Sequence, residues 1–157
     1  MNLNNRPEDV AALSEKHQKY FHAIRTHIPD ARVITDPVRR YAYGVDGSLY
    51  SITPQIVVRA RNIDEVSFLV KEAHKAQVPV TFRAAGTSLC GQALTDSVLI
   101  MVTEGWHDYS IKDNGDTITL EPGIIGANAN VYLKPYQRKI GPDPASIKHA
   151  MIGGICA

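Results

Sequence analysis

Near the start of the chain, apolar positions recur at helical spacing. Val10, Leu13, Tyr20, Phe21, Ile24 and Ile28 fall three, four and seven residues apart, which predicts one helix. Pro7 suits its first turn and Pro29-Asp30 its end. From Asp36 to Thr53 the period is lost, and the stretch reads as an extended arm rich in Tyr, Gly, Asp and Ser. Its Arg39, Arg40, Tyr41, Tyr43, Asp46, Ser48 and Tyr50 suit either a pocket wall or a surface crossover. Beyond Pro54 the pattern sharpens. Gln55-Ile56-Val57-Val58-Arg59 is a β-branched run and predicts a strand. Asn62 or Asp64 then caps a helix with Val66, Leu69, Val70 and Ala73 on its apolar face. That helix fades at the basic His74-Lys75-Ala76, and Val78-Pro79-Val80-Thr81-Phe82 forms a second strand. Strand, helix and strand in so short a span predict a βαβ unit with parallel pairing.

The second half carries shorter elements. Val98 to Val102 is a further buried strand, and 109–112 with 117–121 flank Asp113-Asn114-Gly115-Asp116, a hairpin signal. Pro122-Gly123 ends the hairpin. Ile124 to Lys134 reads as a helix with Ile125, Ala129 and Tyr132 on one side, closed by Pro135. The tail then alternates loop and tight turn through 141–146 and 153–157. Internal repeats and low-complexity tracts are lacking.

Composition narrows the classes of function. The 157 residues suit one compact unit. Seventeen Lys and Arg against sixteen Asp and Glu leave a net charge of +1, which argues against a nucleic-acid partner. A hydrophobic fraction of 44% is ordinary for a globular chain. No apolar run approaches the ~18 residues of a membrane span. The opening Met1 to Asp9 lacks the apolar core of a signal peptide, so a cytoplasmic protein is expected. Cys90 and Cys156 are the two cysteines, and neither a disulfide scaffold nor a cysteine metal site is supported. Both are expected to fill space, Cys156 in a buried apolar run.

The strongest chemical signal is Arg83-Ala84-Ala85-Gly86-Thr87-Ser88-Leu89-Cys90-Gly91-Gln92-Ala93. It follows a parallel strand, where open α/β units place their ligands. Small residues let the backbone approach a ligand, consecutive N–H groups form a nest for an anion, and Thr87 and Ser88 add hydroxyls. A plain β-turn of small residues is the alternative. Gly86 and Gly91 have P-loop spacing, but Gln92-Ala93 stand where Lys and Ser or Thr are required. The Gly-x-Gly-x-x-Gly fingerprint of a Rossmann site is also lacking. Three further tight positions, Pro122-Gly123, Pro142-Asp143-Pro144-Ala145-Ser146 and Gly153-Gly154, suggest loops converging on one extended ligand. Of the six histidines, His17, His22 and His27 do not share a helix face and His74 ends a helix. His107 and His149 lie near loops, but neither has a partner at a metal-ligand or general-base spacing.

Taken in order, the 83–89 run, Glu121-Pro122-Gly123, Ile140 to Ser146 and Met151 to Ile155 resemble the FAD-binding domain of the vanillyl-alcohol oxidase/PCMH flavoproteins. Within that family the similarity is greatest to the FAD-linked D-2-hydroxyacid dehydrogenases, and the Tyr41 to Ser48 arm is similar to their larger members. The resemblance implies an α+β, PCMH-type fold: a βαβ parallel-sheet lobe over about 54–103, then an incomplete, mainly antiparallel second lobe over 104–157. Residues 1–53 would be an N-terminal helix and arm. It also implies FAD held at its pyrophosphate by Arg83, Ala84, Ala85, Gly86, Thr87, Ser88, Gly91 and Gln92. The other cofactor-facing stretches would be Pro122, Gly123, Pro142, Asp143, Ser146, Gly153 and Gly154. Thr87 stands where covalent members carry a histidine, so the flavin is expected to be non-covalent.

Hydride would pass from the alcohol carbon of a 2-hydroxyacid to flavin N5 and then to a carrier. Family members continue past Gly153-Gly154. The cap domain, the substrate-binding arginine, the metal-binding histidines and any iron–sulfur cluster are therefore expected outside this chain. As a portion it is expected to be inactive alone, to self-associate through an uncovered lobe, or to sit at the inner face of a membrane. Alternatives at this level are a module that binds no cofactor and a binder of another phosphorylated ligand.

Overall fold

The computed structural model describes residues 5–157, so Met1 to Asn4 of the opening segment lie outside it. The helix expected from 7 to 28 is two helices, α1 (Pro7–Ala11) and α2 (Glu15–Ile24). The break falls at Leu13-Ser14, because Ser14 is extended and its hydroxyl meets the Nδ1 atom of His17 at 2.7 Å instead of a backbone amide. A strand unforeseen in the sequence, β1 (Val33–Ile34), follows. The arm is also not wholly extended. Pro37–Ala42 forms α3, with the Asp36 carboxylate accepting from the N–H groups of Val38 and Arg39. Asp36-Pro37 is an N-cap followed by a first-turn proline. The helix has no apolar period because Val38 and Tyr41 both face solvent.

The strands β2 (Ile56–Arg59), β3 (Val80–Arg83) and β4 (Val98–Met101) are parallel, with α4 (Ile63–Ala76) between the first two. Sheet order is β1-β2-β4-β3. Parallel pairing is as expected, but β2 and β3 do not touch, since β4 inserts between them. β1 closes one edge antiparallel to β2. Residue alternation sends Ile56, Val58, Val98 and Ile100 toward α2 and α4, where they meet Tyr20, Phe21, Ile24 and Leu69. Val57, Leu99 and Ile34 face the other way and lie under Tyr43 of the arm. Both faces are covered, so the central strands read as unbroken apolar runs.

The second unit is a hairpin, β5 (Tyr109–Lys112) and β6 (Thr117–Leu120), with α5 (Gly126–Leu133) and the short α6 (Ile152–Ile155). Asp113, Asn114 and Gly115 all have positive φ, which lets the chain reverse. Gly115 lies against Tyr136, whose Cβ would be 2.5 Å from a Cβ placed there. Tyr109 stacks on Tyr132 at 4.0 Å between ring centres and fixes α5 against the hairpin. Pro135 sits inside a 3-10 turn over Lys134–Tyr136 rather than ending all helical structure, and the 153–157 tail is partly helical. Cys156, expected in the core, is exposed, and so is Cys90. Cys156 follows the short α6 at the surface, and Cys90 lies on the loop that follows β3. Among the described residues no helix is long and apolar enough to cross a membrane.

His17 is buried between the hydroxyls of Ser14 and Ser97, its Nε2 at 2.8 Å from Ser97 Oγ, and so ties α2 to the start of β4. Burial, then Lys16, hold its pKa below the ordinary value, while Asp96 opposes them. The folded state thus binds fewer protons than the unfolded one. His17 contributes its stability above the unfolded histidine pKa of about 6.5 and loses it as pH falls. Thermal midpoints of the parent should therefore drop between roughly pH 7.5 and 5.5, and those of His17→Gln should drop less over the same range. A parallel decline in both proteins would remove His17 as the cause. In urea titrations, Gly115→Val should lose roughly 2–4 kcal/mol, since it adds overpacking on Tyr136 to a strained φ.

Candidate functional site

The site begins with a topological requirement. Two parallel neighbours need a connection that returns from the end of one strand to the start of the next. Between β3 and β4 that connection is the glycine-containing run 84–97, which has no helix of its own. It leaves β3 at the carboxyl end of the sheet and folds into a loop beside the 142–157 tail. The two walls enclose a cleft of about 740 Å³. A pocket of that size suits a ligand as large as a dinucleotide.

One wall holds Ala84, Ala85, Gly86, Thr87, Ser88 and Gln92 beside Arg83. The other holds Pro142, Asp143, Ser146, Gly153 and Gly154. The sequence thus brought most of its predicted site residues to one place. Gly91, Pro122 and Gly123 stand behind the walls. Gly91 faces the arm, where a Cβ would be 3.0 Å from the Tyr50 ring. Gly123 is pressed against the carbonyl oxygens of Trp106 and Thr103, at 2.6 and 2.8 Å from a notional Cβ. Pro122 accepts from the Gly153 N–H at 3.0 Å and leaves no room for a side chain there. Gly154, by contrast, has open space around it. His107 and His149 are exposed and line neither wall.

The loop's polar inventory is unusual. Gly86 sits at φ +70°, and the N–H groups of residues 85–89 have no hydrogen-bond partner among the described residues. Backbone donors are ordinarily paired unless solvent or a ligand meets them. The Ser88 hydroxyl is already committed: it bonds Gln92 Oε1 and accepts from the N–H groups of Cys90 and Gln92. It shapes the turn, a role its sequence position did not reveal. The Thr87 hydroxyl carries no such bond. Among the described residues, the cleft lining contains no lysine and no histidine, and its charged members are Arg83 and Asp143.

Arg83 is where the sequence reading needs most revision. Its guanidinium does not extend into open space. It donates through Nε and Nη2 to the Ala93 carbonyl at 2.9 and 2.5 Å, and through Nη1 to those of Tyr43 and Val45 at 2.9 and 3.2 Å. The side chain is buried, and it pairs with no carboxylate among the described residues. Burial lowers its pKa, while Asp46 and Tyr43 act in the opposite direction. An arginine remains charged under such conditions. A loop of unpaired N–H groups above a buried cation, with small residues throughout, is a donor set that fits a diphosphate. FAD carries such a group.

Comparison with known proteins agrees with that chemistry. Glycolate oxidase subunit GlcD of Escherichia coli is 29% identical over 135 residues, covering 84% of this chain and 27% of the relative. D-2-hydroxyglutarate dehydrogenase of Pseudomonas putida is 25% identical over 150 residues, covering 93% of this chain and 15% of the relative. The chain thus spans about a quarter or less of the length of these relatives. In fold it is similar to alkyldihydroxyacetonephosphate synthase, with a TM-score of 0.75 at 18% identity over 98% of this chain and 31% of that one. Residues 54–157, which carry β2 through α6 and both walls of the cleft, match the FAD binding domain model, and the chain belongs to that family.

Proposed function

We propose that the cleft holds FAD non-covalently, with its pyrophosphate on the N–H groups of residues 85–89. The observation that carries this reading is the run of unpaired donors around Gly86 at φ +70°. Ala84, Ala85, Gly86, Thr87 and Gln92 form the near wall, with Ser88 bracing it. Pro142, Asp143, Ser146, Gly153 and Gly154 form the far wall, and Pro122-Gly123 backs Gly153. In this reading residues 54–103 and 104–157 are the two lobes that meet at the cofactor. The lining offers no histidine for a covalent flavin link.

The chain is further proposed to be the FAD-binding portion of a flavin-dependent D-2-hydroxyacid dehydrogenase or oxidase. The names of the two curated relatives support that substrate class. Bound FAD would accept hydride from the substrate's alcohol carbon, and the protein would supply position and electrostatics. In this chain the work is binding: the N–H nest fixes the diphosphate, and the small residues 84–86 admit it to the backbone. No residue of the cleft lining is assigned to proton transfer.

Titration of FAD, with ADP and FMN as controls, tests the cofactor. FAD fluorescence should be quenched on binding, ADP should compete, and FMN should bind more weakly. Gly86→Val places a side chain at positive φ, 3.1 Å from Arg83 Cδ, and should weaken FAD by about tenfold or more. Ser88→Ala loosens the turn and should cost roughly three- to tenfold. Equal affinity in all three proteins, or no binding of FAD and ADP by the parent, would overturn the reading. With D-lactate and a dye acceptor the chain by itself should show no turnover.

A further inference from the structure

We propose that residues 43–51 are a working part of the cofactor site, with Gly47 and Arg83 as positioning residues that aim the loop's N–H groups into the cleft. The inference rests on the FAD reading above and extends it to a segment that precedes the family-matched region. None of these arm residues lines the cleft. The arm is a closed loop: Ile52 N–H donates to the Gly44 carbonyl at 2.9 Å, and Val45 bridges Ser51.

The arm grips the 84–92 loop from behind. Gly47 N–H donates to the Gly86 carbonyl at 2.9 Å. A Cβ on Gly47 would lie 2.9 Å from the Ser88 carbonyl oxygen, so that carbonyl also faces the arm, while the Thr87 carbonyl lies broadside to it with carbon and oxygen both at 3.2 Å. In a trans peptide the carbonyl and the following N–H point in opposite directions. Turning the carbonyls of Gly86 and Ser88 toward the arm therefore turns the N–H groups of Thr87 and Leu89 away from it, to the side on which the cleft lies. At the far end of the loop, Tyr50 packs against Gly91. Arg83 joins the two segments beneath Gly86, binding Tyr43 and Val45 of the arm and Ala93 of the loop. Asp46 supports the turn by accepting from Ser48 N–H at 2.8 Å, while its second oxygen is buried with no hydrogen-bond partner among the described residues.

The test is a set of FAD and ADP titrations on the full chain, comparing parent, Gly47→Val, Arg83→Met and Arg83→Lys. Gly47→Val and Arg83→Met should raise the Kd for FAD about tenfold or more, and that for ADP by a similar factor, because both ligands share the diphosphate. Arg83→Lys keeps the charge and some donors and should recover part of the loss. Apo melting temperatures should stay within a few degrees of the parent for Gly47→Val, which decides the matter if Arg83→Met fails to fold. A parent that binds FAD, with Gly47→Val folded and within about twofold of it, would overturn the arm's role alone. A parent that binds neither ligand would overturn the cofactor reading and this inference with it.

Discussion

Burying a guanidinium is costly unless its N–H groups are bonded, and Arg83 meets that condition with carbonyl oxygens instead of a carboxylate. The choice has structural weight. A carboxylate partner would neutralise the charge at one point. Three carbonyls from two segments spread the contact and leave a net positive charge inside the fold. Arg83 stands at the end of β3 in register with Met101, on the sheet face opposite the α2–α4 layer. On that face Tyr43 and Met101 pack against Ile34, Val57 and Leu99. The same few residues therefore seal the sheet and shape the cleft. Removing the guanidinium would take the shared donor from the carbonyls of Tyr43, Val45 and Ala93 and so uncouple the two segments.

The order of the sheet explains why the cleft lies where it does. β3 and β4 are parallel neighbours, so the connection between them must return from one end of the sheet to the other, and here it does so without a helix. Its backbone groups have no ladder to join, so the loop supplies donors that regular structure would have consumed. The second unit contributes by close backbone packing. Gly123 against Trp106, and Gly153 against Pro122, bring the tail near enough to the loop to form a wall. Trp106 in turn donates its indole N–H to the Ala60 carbonyl at 2.7 Å, so the wall is tied to the end of β2.

Much of this was legible in the residues. The β-branched run at 56–59, the capped helix from Ile63 and the Asn-Gly hairpin each carry local signals that tertiary context did not override. The loop was marked by small residues at the end of a strand. What could not be read depends on partners distant in the chain. β1 is two residues long and exists because β2 offers an edge. α3 has cap chemistry but no apolar face, so periodicity passed over it. The insertion of β4 leaves no local trace, since parallel neighbours and parallel non-neighbours look alike in sequence. The family resemblance implies Arg83 as a cofactor contact, whereas the structure commits its guanidinium to backbone carbonyls. Its carbonyl partners lie ten, thirty-eight and forty residues away. The Ser88 hydroxyl, expected as a donor to the ligand, is engaged in its own turn with Cys90 and Gln92.

Gly47 bears on how this protein can be taken apart. A boundary drawn at residue 54, where the family match begins, passes between two pieces that share a buried cation and a close backbone contact. Recombination at that point would separate Gly47 from Gly86 and leave Arg83 facing solvent. The smallest transferable unit is thus longer than the matched segment and begins no later than Tyr43. Inheritance of the 44–52 and 84–94 segments should be joint, since a side chain gained at 47 must be accommodated by the loop it faces.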